Sequence, residues 1–429
     1  MNPADIAWML VATALVLLMT PALAFFYGGL VRSKNSLNTM MMSFAALGFV
    51  GVGWAAVGYS IAFAPGSAFA GDLSRLLLSG VGLEAQGTIP HLLFASYQGT
   101  FAIITTALIS GAIVERMRFG PYLAFLTLWS IFVYAPLAHW VWGGGWLARL
   151  GALDFAGGTV VHVNAAAAAL VAAMVLGPRK DFARQAILPH HVPFTLLGCG
   201  LLWFGWFGFN AGSALAANAS AALAFANTML APAATLVVWT LLDLGRSGRA
   251  TAVGAATGIV VGLVAITPAA GLVSPLSAIL LGGVAAFPSY FALLWRARTR
   301  LDDSLDVVAA HGLGGTVGAI LTGVLAQKAW NGGVADGALF GDPRRILVQA
   351  AAVAAAVVWS GAGTFALLKL VALFAPLRAT VREEGLGLDV TQHGEEAYTD
   401  GEGAILVLPE VASAEATLPA SALSAEGGA

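Results

Sequence analysis

Eleven runs of mostly apolar residues dominate this chain, near residues 5–28, 36–63, 90–114, 120–142, 157–177, 193–215, 220–243, 251–271, 276–295, 304–326 and 346–375. A helix needs about 20 such residues to cross the hydrocarbon core of a bilayer. The expected fold is therefore an all-α membrane protein of eleven transmembrane helices. Composition agrees: of 429 residues, 59% are hydrophobic and only 10% are charged, where a soluble domain carries roughly 25% charged residues. Mean hydropathy is +0.84. The net charge of −2 leaves no basic face for phosphates, which argues against nucleic acid as a partner. A single cysteine, Cys199, rules out an internal disulfide framework and a thiolate metal cage. The first run, "IAWMLVATALVLLMTPALAFFYGG", lacks a basic leader region and is long enough to span, so it reads as a retained helix.

Lys and Arg test the count independently. Alternate loops carry Arg32 and Lys34, Arg116 and Arg118, Arg179, Lys180 and Arg184, Arg246 and Arg249, and Arg296, Arg298 and Arg300; Arg378 and Arg382 follow the last run. That is 14 of the 20 Lys and Arg residues. The other loops hold Arg75, Arg149, Lys328, Arg344 and Arg345, and Lys369 lies in the last run. The bias toward positive charge inside then puts the N-terminus outside and the C-terminus in the cytoplasm, as a multi-pass protein of the cytoplasmic (inner) membrane. Residues 1–377 form the membrane domain, 378–402 a polar tail that could dock on the cytoplasmic face, and 403–429 a stretch rich in Ala, Glu, Ser and Pro that is expected to be disordered.

Ten spans divide into five and five, which gives the halves opposite topology. Such inverted repeats place substrate sites near the midplane on corresponding helices. A lone histidine occupies matching places in the two halves: His162 in "DFAGGTVVHVNAAAAALV" of the fifth span and His311 in "DVVAAHGLGGTVGAILTG" of the tenth. Ionisable residues inside spans are rare and mark pathways more often than not; the plainer reading is a ring bonded to a backbone carbonyl between packed helices. A metal site needs three or more ligands, and His91, His139, His190, His191 and His393 all lie near span ends or in loops. No metal and no cofactor are therefore expected, which counts against a membrane metalloenzyme. Asp154 precedes His162 by eight residues and Asp306 precedes His311 by five, offsets of about 12 and 7.5 Å along a helix, too far for direct contact. Asp154 either caps the fifth helix or attracts a cation. A neutral imidazole pair can share one hydrogen bond and hand on a proton. That suits a small guest able to hydrogen-bond and to lose a proton.

A cation would first meet aromatic faces, which attract it by about 2 kcal/mol or more when desolvated. The candidates are Trp142 in "HWVWGGGWL", Tyr97 and Phe101 in "SYQGTFAIITTALISGAIVERMRF", and Phe209 with Ser213 in "WFGFNAGSA"; a Trp at a span end also serves as an interfacial anchor. With "FFYGGLVRSKN", "GAIVERMRF", "GALDFAGGTVVHVNA", "DDSLDVVAAHGLGG" and "GLDVTQHGEEAY" added, the chain from about residue 5 to 400 resembles the ammonium transporters of the Amt/MEP/Rh group, on the Amt branch. The resemblance implies eleven spans with the N-terminus outside. It implies an outer site for ammonium or methylammonium at Trp142, Phe101 and Ser213, with Tyr97 in the vestibule and Asp154 near the recruitment site. It further implies a gate of stacked Phe101 and Phe209 and twin pore histidines at His162 and His311. Trp206, which precedes Phe209, is expected near the pore lining.

The function so implied is ammonium uptake without enzymatic chemistry, the cation being deprotonated and its ammonia conducted past the histidines. A passive ammonia gas channel and an ammonium sensor with little transport are the alternatives. The resemblance also implies a homotrimer with a pore through each subunit and a tail, with Arg382, Gly385, Asp389, His393 and Gly394, that couples subunits and senses a P-II type nitrogen-regulatory protein.

Overall fold

The computed structural model describes residues 1–334 and 336–398. The expected extension at 403–429 and the last residues of the tail lie outside that range. Among the described residues ten helices are long and apolar enough to span a membrane, and a shorter apolar helix, Ala252–Ile266, makes the eleventh. In order they are Pro3–Leu30, Ser33–Phe63, His91–Ala112, Phe119–Leu150, Gly158–Leu176, Val192–Gly212, Ala219–Ser247, Ala252–Ile266, Pro275–Arg296, Val308–Leu325 and Arg344–Ala372. The eighth helix stops earlier than its hydropathy predicts, because Pro268 follows at once and residues 267–272 fold into successive turns. The tenth starts later, at Val308 rather than 304, because Asp306 adopts φ +61°, a left-handed conformation that no helix continues through.

The first and sixth spans, which head the two halves, pack along their length through small residues. Gly205 meets Leu15 O and the Met19 side chain, and Gly208 meets Leu15 Cβ and Ala12 O so closely that a Cβ there would overlap both. Bringing backbones this near is how membrane helices gain packing energy where lipid supplies no hydrophobic driving force. The last span lies across the first half. Its Ser360 donates to Asn164 O at 2.7 Å and its Thr364 accepts from Trp129 Nε1 at 2.9 Å.

The tail folds back onto the same face as the 179–190 loop as two short helices, Val381–Leu386 and Leu388–His393. The second span has no side-chain cap of its own. Asp389 supplies one, accepting from Leu37 N at 3.0 Å and Asn38 N at 2.7 Å. Lys34 Nζ donates to Gly385 O, and His393 Nε2 lies 2.9 Å from Asn38 Nδ2. Gly394 ends the helix at φ +70°, where glycine costs least. Arg382 is exposed.

Candidate functional site

Both histidines sit in the same local device. Residues Gly158–Val163 and Val308–Leu313 are single π-helical stretches that open the fifth and tenth spans. The wider turn interrupts the regular ladder, a feature that recurs at functional sites. Gly157, at φ +113°, makes the sharp entry into the first of them. The two π-stretches meet at the centre of the molecule, where His162 Nδ1 and His311 Nδ1 stand 3.2 Å apart with ring planes 30° from parallel. Two nitrogens at that distance share one proton, so one Nδ1 donates and the other accepts. Both rings are buried, and His162 Nε2 has no protein partner.

A ladder of rings leads to this pair. Phe101 and Phe209 stack at 4.2 Å and 27°. Phe209 lies 6.0 Å from His162, and Trp206 stacks on the same imidazole at 5.4 Å, its indole N–H donating to Thr267 Oγ1 at 2.9 Å. The lumen between them is a slot of about 10 Å³, walled by Leu23, Phe26, Ile104, Leu108, Val260 and the two imidazoles among others. That is room for about one water-sized guest.

On the side of the N-terminus the ladder opens into a cavity of about 300 Å³ lined by Phe63, Phe94, Gln98, Phe101, Val141, Trp142, Phe155, Ser213 and Leu215. Trp142 stands edge-on to Phe101 at 6.0 Å, and its N–H donates to Asp154 O at 2.9 Å. Ser213 Oγ lies 2.8 Å from Phe209 O, to which it donates, leaving its lone pairs for a guest. Tyr97 is not on this lining. Its hydroxyl is spent on Gly208 O and Phe209 O, each at 3.0 Å, and lies 3.3 Å from Ser213 Oγ. Asp154 is also absent from the lining. Its two oxygens accept from the N–H groups of Gly157, Gly158, Thr159 and Val160 at 2.6–3.0 Å. Of the two roles open to Asp154, the geometry shows the cap. Burial pushes its carboxyl up to about 6 against those four N–H groups.

The counterpart of Asp154 in the second half is Asp303, not Asp306. Asp303 precedes His311 by eight residues, as Asp154 precedes His162, and it accepts from Val308 N at 2.7 Å. Its equal offset from the histidine is the sequence signal that distinguishes it from Asp306, the nearer carboxylate. Gln98, Phe63, Phe94 and Phe155 went unnoticed, because nothing in a local pattern says which aromatic faces a cavity.

On the tail side the lumen opens into a chamber of about 480 Å³, lined by Tyr27, Arg179, Arg296, Ser304, Asp306 and His311 among others. Behind it lies a buried charge cluster. Glu115 contacts Arg32 at 3.0 Å and Arg179 at 2.8 Å, and Arg179 also contacts Asp302 at 2.8 Å. Burial works to raise the Glu115 carboxyl, yet Arg179 and Arg32 hold it below the usual range. Among the described residues no group of three or more His, Cys, Asp or Glu is placed to hold a metal ion.

A membrane bundle of inverted halves, with a ring-lined slot ending on two facing imidazoles, defines a small-solute pore. The profile of the Ammonium Transporter Family matches residues 7–398, and the chain belongs to that family. An ammonium transporter of Bacillus subtilis is 50% identical over 93% of this chain and all of its own length. The solved structure of Saccharomyces cerevisiae Mep2 superposes with a TM-score of 0.83 at 36% identity, covering 89% of this chain and 91% of that one. A structure described as a sensor Amt protein gives 0.84 at 29% identity, covering 91% and 98%.

Proposed function

We propose that this protein carries ammonium across the cytoplasmic membrane by stripping the cation of its proton and passing ammonia along the twin imidazoles. One observation carries the reading: His162 and His311 face each other at 3.2 Å at the end of an otherwise apolar slot. A bare cation in such a slot costs several kcal/mol even after relaxation. The aromatic cavity offsets part of that cost, because Trp142 and Phe101 present π faces and Ser213 an accepting oxygen. Below the stacked Phe101 and Phe209 only a neutral, hydrogen-bonding guest is tolerated. Potassium, which cannot deprotonate, is excluded. The proton follows the imidazole pair, so net charge moves and membrane potential contributes. Tyr97 and Asp154 serve this site indirectly, the first by holding Ser213 and Phe209, the second by fixing the turn that carries Trp142's acceptor.

In this reading the aromatic mouth faces outward, as the Lys and Arg bias requires. The apolar outer surface meets lipid and two further copies in a homotrimer, and residues 378–402 form a regulatory segment for a P-II type protein. The wide inner chamber and continuous ring ladder favour transport over a sensor with little flux. The test is uptake of labelled methylammonium by cells lacking their own carriers, with currents on solid-supported membranes. Wild type takes up label and excludes potassium, and His162→Ala with His311→Ala loses the current or its selectivity. An unchanged current with potassium still excluded in the double variant refutes the relay. Ammonium binding without uptake by the wild type establishes the sensor instead.

A further inference from the structure

The lining of the aromatic mouth includes no charged side chain among the described residues. The opposite chamber carries Arg296 and Asp306 on its wall beside His311. Arg296 ends the ninth span, and Asp306 stands two residues before the tenth begins. Arg296 Nε lies 2.5 Å from Asp306 Oδ1; the two contacting atoms are buried, while the side chains, 19% and 30% exposed, also form part of the chamber wall. Neither atom has an aligned hydrogen-bond partner. The contact is charge against charge between two separate elements. Arg179, the other guanidinium on this wall, is already matched by Asp302 and Glu115. Among the described residues Asp306 is the one direct ion-pair contact of Arg296, and Asp303 adds a weaker, more distant attraction.

We infer that Arg296 limits entry of monovalent cations from the tail side of the pore, and that Asp306 sets how strongly it does so. The inference rests on the transport reading above. A guanidinium at the wall raises the energy of ammonium or methylammonium in the chamber, and the facing carboxylate cancels part of that field. Such fields reach about 8 Å at physiological salt. Ammonia feels little of this, so a guest that arrives neutral leaves freely while a cation returning from that side is held off. Equilibrium is untouched, because detailed balance fixes the net driving force. The effect is an asymmetry of apparent affinity between the two faces.

The experiment measures KM for labelled methylammonium from each face, in right-side-out and inside-out membrane vesicles. Arg296→Gln is expected to lower the tail-side KM by about threefold to tenfold, the scale of one partly screened charge. Asp306→Asn is expected to raise it by a similar factor, and the double variant to fall between them. Arg296→Lys keeps the charge and the wild-type value. KM from the aromatic face stays within about twofold in every variant, and high salt compresses all the differences. Movement of Arg296→Gln and Asp306→Asn in the same direction, or equal change on both faces, reveals a packing role and overturns the inference. So does the absence of any shift. A wild type that carries no methylammonium from either face overturns the transport reading, and this inference with it.

Discussion

The two halves deliver their histidines by one device and finish its ends differently. In both, a carboxylate eight residues upstream caps a π-helical opening turn that presents an imidazole to the lumen. In the first half the cap is complete: Asp154 takes four N–H groups, and its backbone carbonyl accepts from the Trp142 indole. In the second half Asp303 accepts from Val308 N through Oδ2 while Oδ1 has no partner, and a left-handed Asp306 follows it. The aromatic mouth is lined by uncharged side chains among the described residues, and the tail-side mouth includes Arg179, Arg296 and Asp306. A symmetric repeat thus ends differently at its two mouths, which in the proposed reading suits one to holding a cation and the other to releasing a neutral molecule.

The largest expected effect separates the two caps. Asp154→Ala leaves four buried N–H groups without an acceptor, and each such orphan costs about 1–3 kcal/mol. It should lower the melting temperature in detergent markedly and reduce the yield of folded protein. Asp303→Ala removes fewer bonds and should lower the melting temperature by well under half as much. Equal losses would mean that the halves are capped alike in solution and do not differ in this respect.

Next in size is the aromatic mouth itself. Trp142→Leu removes a π face worth about 2 kcal/mol to a desolvated cation, so the aromatic-face KM for methylammonium should rise more than tenfold with the tail-side KM little changed. Tyr97→Phe keeps the ring and loses a hydroxyl bonded only to Gly208 O, Phe209 O and Ser213. Its effect on KM should be about threefold or less. A Tyr97→Phe effect as large as that of Trp142→Leu would place the hydroxyl on the guest.

These contrasts follow the line between what local sequence encodes and what it does not. The spans were legible because bilayer thickness imposes a length on apolar runs, and His162 and His311 stood out because an imidazole is conspicuous among Ala, Val and Gly. The partners of Asp154 were illegible: they are backbone N–H groups, which every residue carries. Asp306 drew notice as the carboxylate nearer to His311, yet the capping role belongs to Asp303, since a carboxylate's reach depends on the turn between. Partners distant in sequence, such as Glu115 with Arg179 and Asp389 with Asn38, are set by how the spans pack. No periodicity announces them.

The smallest expected effect sharpens the tail-side half of the comparison through pH. Three charged groups act on Asp306: Arg296 from the ninth span, Asp303 from its own loop and Arg179 from the loop after the fifth span. Burial, opposed first by Arg296, pushes the Asp306 carboxyl up to about 7. Above that pH the carboxylate is ionised and offsets Arg296; below it the carboxyl takes up a proton and the guanidinium stands uncompensated. The tail-side KM for methylammonium, which stays protonated throughout, should therefore rise about threefold as tail-side pH falls from about 8 to about 6. The aromatic-face KM should not follow. Asp306→Asn should hold the high value at every pH, because it removes the titrating carboxyl; Arg296→Gln should keep a pH dependence but move it to higher pH, because the guanidinium that holds the Asp306 carboxyl down is gone. A pH dependence that survives in Asp306→Asn would assign the titration to another group and leave the charged mouth without its switch.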